Sequence, residues 1–395
     1  MKKGTKKFLF LSVATLAGMY AYNQFVASTS TKKNMLPTKN GSYYSWKQGN
    51  VFYTKTGTGD PVLLIHDTNS ASSSVEWSKI SKRLQKKHTV YTMDLLGCGL
   101  SDKPGLSYTN YMYVQLITAF IKDIIKSKTS VVASNLSSSF VIMANQLDAS
   151  IIDKMIFINP VSFHSMDAMP DQQSKLKQTI INLPLVGTFI YNLLMNPKRI
   201  DRQFRFIYYC RPQLISSKTK DAYYEAAHMD NSNGKYLYSS LLGNYMNIDL
   251  RHAVKKITKP VSFIISSDIK ANYKTAQEYR KLNSNIDITY VSNCKLYPQL
   301  ENPEKVYQII ENKLSIFYNS SINVDNIFFP LKAVEKSINY KGFLEGIPAF
   351  LGYFFDVPFA FVKEMNARCA SPIENLYTSS TFPPRRKIAD FAAAT

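Results

Sequence analysis

The sequence predicts a doubly wound, mostly parallel α/β sheet carrying an inserted helical subdomain. Residues 61–66 form a continuous apolar run without alternation, as expected of a strand buried on both faces of a helix-covered sheet. Strand-like and helix-like stretches then alternate through residue 159, which builds βαβ units. Between 165 and 255 the alternation gives way to helical, aromatic-rich sequence, such as 183–195 and 222–228, before strands resume at 261.

Taken in order, Lys2, Lys3, Lys6 and Lys7 precede an apolar run over 8–22, which Asn23 and Gln24 end. Residues 1–27 read as an uncleaved signal anchor or transmembrane segment, with the folded domain on the extracytoplasmic side. Residues 28–41, with Ser, Thr, Lys, Asn and Pro, read as a polar linker. Two short strands, 42–46 and 51–55, flank a turn at Gln48, Gly49 and Asn50. After the strand at 61–66 come a helix at 75–84, a strand at 90–94, a helix at 111–125, a strand at 130–133, a helix at 138–147 and a strand at 154–159. Beyond the helical insertion, strands at 261–266 and 286–291 and a helix at 303–318 with Pro in its first turn complete the domain. Residues 319–370 exceed its needs and read as an aromatic helical extension. Its 342–362 stretch is interrupted by Glu345, Pro348, Asp356 and Pro358, so it suits a packed or interfacial helix pair better than a span. Residues 371–395, with Pro383, Pro384 and the Arg385-Arg386-Lys387 cluster, read as a disordered tail.

Composition sets the class. With 45% hydrophobic and 13% aromatic residues in 395, the chain can bury a large core, and disorder throughout is excluded. The 48 Lys and Arg against 28 Asp and Glu give a formal charge of +20, which suits an anionic surface. No zinc-finger spacing and no basic helix interleaved with aromatic residues points to nucleic acid. Cys98, Cys210, Cys294 and Cys369 lie far apart, so the spacing implies neither a metal site nor a disulfide framework.

Three motifs carry chemistry. Leu64-Ile65-His66-Asp67 closes a buried strand; Asp94-Leu95-Leu96-Gly97-Cys98-Gly99-Leu100-Ser101-Asp102-Lys103-Pro104 is a complete D-x-x-G-x-G-x-S-x-x-P loop; and Pro298-Gln299-Leu300-Glu301-Asn302-Pro303-Glu304 opens the last helix. Together they resemble the α/β-hydrolase superfamily over about residues 42–318, with 165–255 as the cap. The resemblance implies a nucleophile elbow G-x-S-x-G, an oxyanion loop after the first buried strand, and an Asp and a His completing a triad.

Several of these positions are altered. The elbow reads Ala133-Ser134-Asn135-Leu136-Ser137-Ser138, which puts Asn135 at the nucleophile position, with small residues still flanking the turn. The base position of H-x-P-x-L-E falls on Leu296. Asp268, after the strand at 261–266, is the candidate acid, with no imidazole to orient. His66, Asp67 and Leu136 form the oxyanion loop and pocket positions, Asp67 replacing the expected Gly. Ser134 or Ser137 paired with His66, His164 or His228 would be the route to a displaced nucleophile and base. Each has a plainer reading: the serines serve the elbow and a helix N-cap, and His66 is structural. Trp77, Tyr297 and the Phe204, Phe206, Tyr208 and Tyr209 group read as core. The sequence therefore predicts a membrane-anchored, catalytically silent hydrolase-fold protein that binds a small apolar ligand or a protein partner and needs no cofactor. An active esterase, lipase or peptidase with a rearranged site is the alternative.

Overall fold

A computed structural model describes residues 3–37 and 41–315 of the chain. The expected extension over 319–370, its aromatic stretch and the tail lie outside the described residues.

Eight strands form one sheet in the order β1-β2-β4-β3-β5-β6-β7-β8. They are β1 (Gly41–Trp46), β2 (Gly49–Thr56), β3 (Pro61–Ile65), β4 (Thr89–Met93), β5 (Thr129–Ser134), β6 (Ile152–Ile158), β7 (Val261–Ser266) and β8 (Ile286–Val291). β1 and β2 form the predicted hairpin, and β2 runs antiparallel to β4. All later pairings are parallel, with Leu64 of β3 facing Thr92 on one side and Val132 on the other.

The apolar runs lack alternation because both faces of the sheet are covered. Leu63, Ile65, Val131, Ala133, Met155, Phe157, Phe263 and Ile265 belong to one buried cluster, whereas Val62, Leu64, Val132, Ile156, Ile158 and Ile264 belong to another. The first cluster includes residues of α3 (Asn110–Phe120), α4 (Ser137–Leu147) and later helices; the second includes residues of α2 (Ser78–Leu84) and of 303–315. Neighbouring residues on each strand thus bury into opposite layers.

The insertion is helical: α5 (Phe163–Met166), α6 (Gln172–Asn182), α7 (Val186–Leu194), α8 (Pro197–Gln203), α9 (Ser217–Ser232), α10 (Gly234–Leu242) and α11 (Arg251–Lys255). After it, α12 (Lys270–Leu282), α13 (Pro298–Glu301) and α14 (Pro303–Ser315) alternate with the last strands. One helix differs from expectation. The stretch predicted as one helix over 111–125 changes to a π turn at Ile121–Ile125 and ends at Lys126 with φ 60°. Near its end α9 breaks at Met229, Asp230 and Asn231, the last two left-handed.

The N-terminal helix α1 (Lys3–Thr29) extends well beyond the apolar run. No helix among the described residues is long and apolar enough to cross a membrane, because Tyr20, Tyr22, Asn23 and Gln24 dilute the run; the expected spanning segment is not shown. From Asn23 onward α1 is docked on the cap. Asn23 donates to the Leu185 carbonyl (3.1 Å) and accepts from Asn192 (3.0 Å), and Tyr22 meets Phe189 edge-on at 5.4 Å. The segment read as a linker is likewise held. The buried Glu225 carboxylate accepts the backbone N–H groups of Met35 (2.8 Å) and Leu36 (3.5 Å), and Leu36 is buried against Ala222 and Ala226.

The Gly97-Cys98-Gly99 loop positions the site. Both glycines have positive φ, and a Cβ on Gly99 would lie 2.1 Å from Asp94 Oδ2. That carboxylate ties two loops together, accepting from Ser74 N (2.6 Å) and Leu100 N (2.8 Å). Gly99→Ala is therefore expected to lower unfolding stability by at least about 2 kcal/mol, combining a left-handed residue with a clash between the added Cβ and the Asp94 carboxylate. Urea unfolding followed by circular dichroism checks it; an unchanged midpoint would mean that the loop relaxes freely.

Candidate functional site

β5 is buried along its whole length and turns into α4 through Asn135 and Leu136. Asn135 has φ 43°, and its N–H donates to the Ile158 carbonyl (2.9 Å). Asparagine tolerates this left-handed conformation better than most residues, so the sharp elbow persists with an amide at its apex. Leu136 occupies the N-cap of α4, which corrects the assignment of that place to Ser137 or Ser138. The Ser138 hydroxyl instead donates back to the Asn135 carbonyl (2.6 Å).

Facing the elbow is the loop after β3. Asp67, where the resemblance implies Gly, folds its carboxylate onto the turn. Its Oδ1 accepts the backbone N–H groups of Thr68 (2.7 Å) and Leu136 (3.2 Å), and its Oδ2 accepts from the Asn135 amide (3.3 Å) and the Tyr297 hydroxyl (2.6 Å). An N–H of the residue after the nucleophile together with one from this loop makes an oxyanion hole. Here a carboxyl group belonging to the chain occupies both donors. Burial raises the Asp67 pKa, and the hydrogen bonds from Tyr297, Leu136, Asn135 and Thr68 oppose that rise.

A second carboxylate lies beneath it. Glu76 is buried; its Oε1 accepts from the Ser134 hydroxyl and from Gln299 Nε2 (2.7 Å), and its Oε2 accepts the Asp67 N–H (3.1 Å). Burial, then the neighbouring Asp67 charge, push its pKa up from 4.5 to about 8. Sequence reasoning did not find Glu76 and gave Tyr297 no site role. Tyr297 holds Asp67 from a position 230 residues away, its ring tilted against that of Tyr208 with centroids 4.5 Å apart.

The remaining candidates are dispersed among other tasks. His66 donates from Nδ1 to the Asp67 carbonyl (2.7 Å) and accepts the Leu95 N–H at Nε2 (3.0 Å), so both ring nitrogens are engaged; burial lowers its pKa. The Ser137 hydroxyl donates to the His66 carbonyl (2.6 Å) and pairs with Thr68 Oγ1 (2.7 Å). His228 lies on α9, donating from Nδ1 to the Tyr224 carbonyl (2.7 Å), with its pKa lowered to about 4 by burial. His164 is exposed on α5. No hydrogen bond between Ser134 or Ser137 and a histidine ring is present among the described residues.

Leu296 is buried, and its carbonyl accepts from Asn159 Nδ2 (2.9 Å). Asp268 is exposed at the end of β7 and accepts the Cys294 N–H (3.2 Å), which ties it to the loop bearing Leu296. Among the described residues, no cluster of three or more His, Cys, Asp or Glu is placed to hold a metal ion. A cavity of about 670 Å³ lies between the N-terminal segment and α9, bordered by Leu36, Leu100, Glu225, His228 and Asp230; Asn135 and Leu296 do not line it.

The family model for the alpha/beta hydrolase fold matches residues 60–200. Over 108 residues the chain is 27% identical to a 2-hydroxy-6-oxo-6-(2'-aminophenyl)hexa-2,4-dienoic acid hydrolase of Metapseudomonas resinovorans, a match covering 27% of this chain and 37% of that protein. Over 141 residues it is 26% identical to a cis-3-alkyl-4-alkyloxetan-2-one decarboxylase of Shewanella oneidensis, covering 34% of this chain and 43% of that protein. The chain thus matches less than half the length of these relatives. Among solved structures, a serine hydrolase involved in carbazole degradation superposes with a TM-score of 0.57 at 17% identity, covering 70% of this chain and 98% of that one. A membrane phospholipase A superposes with a TM-score of 0.55 at 17% identity, covering 78% and 98%. With its strand order, capped parallel sheet and elbow, the chain has the α/β-hydrolase fold.

Proposed function

We propose that this protein is a catalytically silent α/β-hydrolase-like protein, held at a membrane surface by its N-terminal helix and acting by binding. One observation carries the silent reading: the Asp67 carboxylate sits on the two backbone donors that would stabilise a substrate oxyanion. Asn135 offers no nucleophile, and Leu296 no base. The cavity between the N-terminal segment and α9 supports the binding half of this reading. Its border includes Glu225 and Asp230 beside Leu36 and Leu100, so its ligand is mixed in polarity rather than purely apolar.

Membrane attachment rests on the exposed apolar residues of α1, with Phe10, Leu11, Val13, Leu16, Tyr20 and Phe25 all facing solvent, together with the charge of +20.

The catalytic half of the reading is checked with a fluorophosphonate probe. Wild type is expected to remain unlabelled, and the triple variant Asp67→Gly, Asn135→Ser, Leu296→His to acquire labelling at position 135. Stoichiometric labelling of a wild-type serine would overturn silence. Each single substitution is expected to stay unlabelled, because nucleophile, base and oxyanion donors act as a unit.

Glu76 gives a second test. Its pKa is about 8 in the fold against 4.5 ordinarily, so the folded state binds the extra proton. The stability linked to Glu76 is fully present below about 4.5 and is lost as pH rises through about 8. Glu76→Gln is therefore expected to gain stability relative to wild type as pH increases from 5 to 9. Paired urea midpoints across that range check it, and parallel curves for the two proteins would show that Glu76 ionises normally.

A further inference from the structure

Large exposed apolar side chains cluster in two parts of the described chain. Six are on α1, and Met169, Leu176, Leu183, Leu193, Phe206 and Leu214 are on the cap between α5 and α9. Two of the cap residues lie close to the place where α1 docks. Asn23 bonds the Leu185 carbonyl and the Asn192 side chain, so Leu183 and Leu193 lie two residues and one residue from the contact. Leu193 is 42% exposed although it follows the buried Asn192, and Leu176 on α6 is 61% exposed.

The helix is continuous through this junction. From residue 10 to 21 α1 is almost entirely exposed, and from Asn23 to Ser30 every third or fourth residue (Asn23, Val26, Ser30) is buried. At 1.5 Å per residue, Phe10 lies about 20 Å along the axis from Asn23. A helix whose free half contacts lipid while its other half is bonded to α7 brings the cap to the same surface. Exposed Lys175 on α6 and Lys198 on α8 add positive charge beside these apolar residues.

We infer that the cap face bearing Leu176, Leu183 and Leu193, together with α1, forms one membrane-docking surface whose occupant is an anionic lipid bilayer. This rests on the proposed membrane attachment and extends it from the helix to the cap. Apolar side chains entering the headgroup boundary and lysines over anionic lipid are the two contributions that hold such surfaces.

The test uses the full-length chain carrying one added tryptophan at a time, with vesicles of phosphatidylglycerol and phosphatidylcholine whose acyl chains are brominated. Trp46 and Trp77 are buried and give a constant background. Phe10→Trp reports on α1, Leu193→Trp and Leu176→Trp on two separate cap helices, and Leu147→Trp on an exposed site of α4 outside the cap. Circular dichroism confirms folding of each variant, and the two cap reporters guard against loss of either one. The added emission of both cap reporters is expected to fall by about half, as for side chains seated in the acyl boundary, with Leu147→Trp unchanged. Pure phosphatidylcholine vesicles are expected to give weaker quenching. Quenching of Phe10→Trp without either cap reporter would overturn the cap surface and leave helix attachment standing. Failure of the protein to float with vesicles at all would overturn both.

Discussion

The contact between the Asp67 carboxylate and the N–H groups of Thr68 and Leu136 organises the heart of this molecule. The elbow of a hydrolase fold directs backbone donors into a buried space at the start of a helix, a place that favours negative charge. Left empty, each buried donor would cost on the order of 1–3 kcal/mol. In a working enzyme, water or substrate meets that demand. Here a side chain two residues past β3 meets it, helped by Asn135 and by Tyr297 from the far end of the domain. A buried carboxylate carries a desolvation cost of several kcal/mol, and four donors offset it.

That choice constrains the next layer. A second carboxyl group, buried and beside the first, cannot also ionise cheaply, and the Glu76 pKa is pushed up to about 8. Its neighbours Ser134 and Gln299 supply hydrogen bonds, so the hydroxyl of the serine beside the elbow is engaged by Glu76. The same economy applies to His66. Both its nitrogens link the β3 loop to Leu95 in the glycine loop, an arrangement that uses an imidazole as a neutral spacer.

The parts of this arrangement legible in the sequence are those encoded locally. The unbroken apolar run of β3, the glycine loop after β4 and the Pro298–Glu301 turn fix strand order and the elbow's place, because each depends on a few adjacent residues. Asn135 and Leu296 could be located for the same reason. The network around them was illegible because its partners are far apart: Glu76 meets Gln299 across 223 positions, and Tyr297 meets Asp67 across 230. A glutamate among serines, in Ser72-Ser73-Ser74-Val75-Glu76, reads as surface until the fold buries it. The docking of residues 28–37 was hidden likewise, since Glu225, which holds Leu36, lies in a cap helix 189 residues away.

Docking of the N-terminal segment changes what the cap can do. In hydrolases that turn over substrate, a mobile lid admits ligand and then excludes water, and its freedom is part of the rate. Here α7 is bonded to Asn23, and α9 to the backbone of Met35 and Leu36, two independent ties from one segment. Swinging the cap away would strip hydrogen bonds from a buried carboxylate, Glu225, and separate the Leu36 cluster. Under the silent reading proposed above, fixing the lid costs the chain nothing.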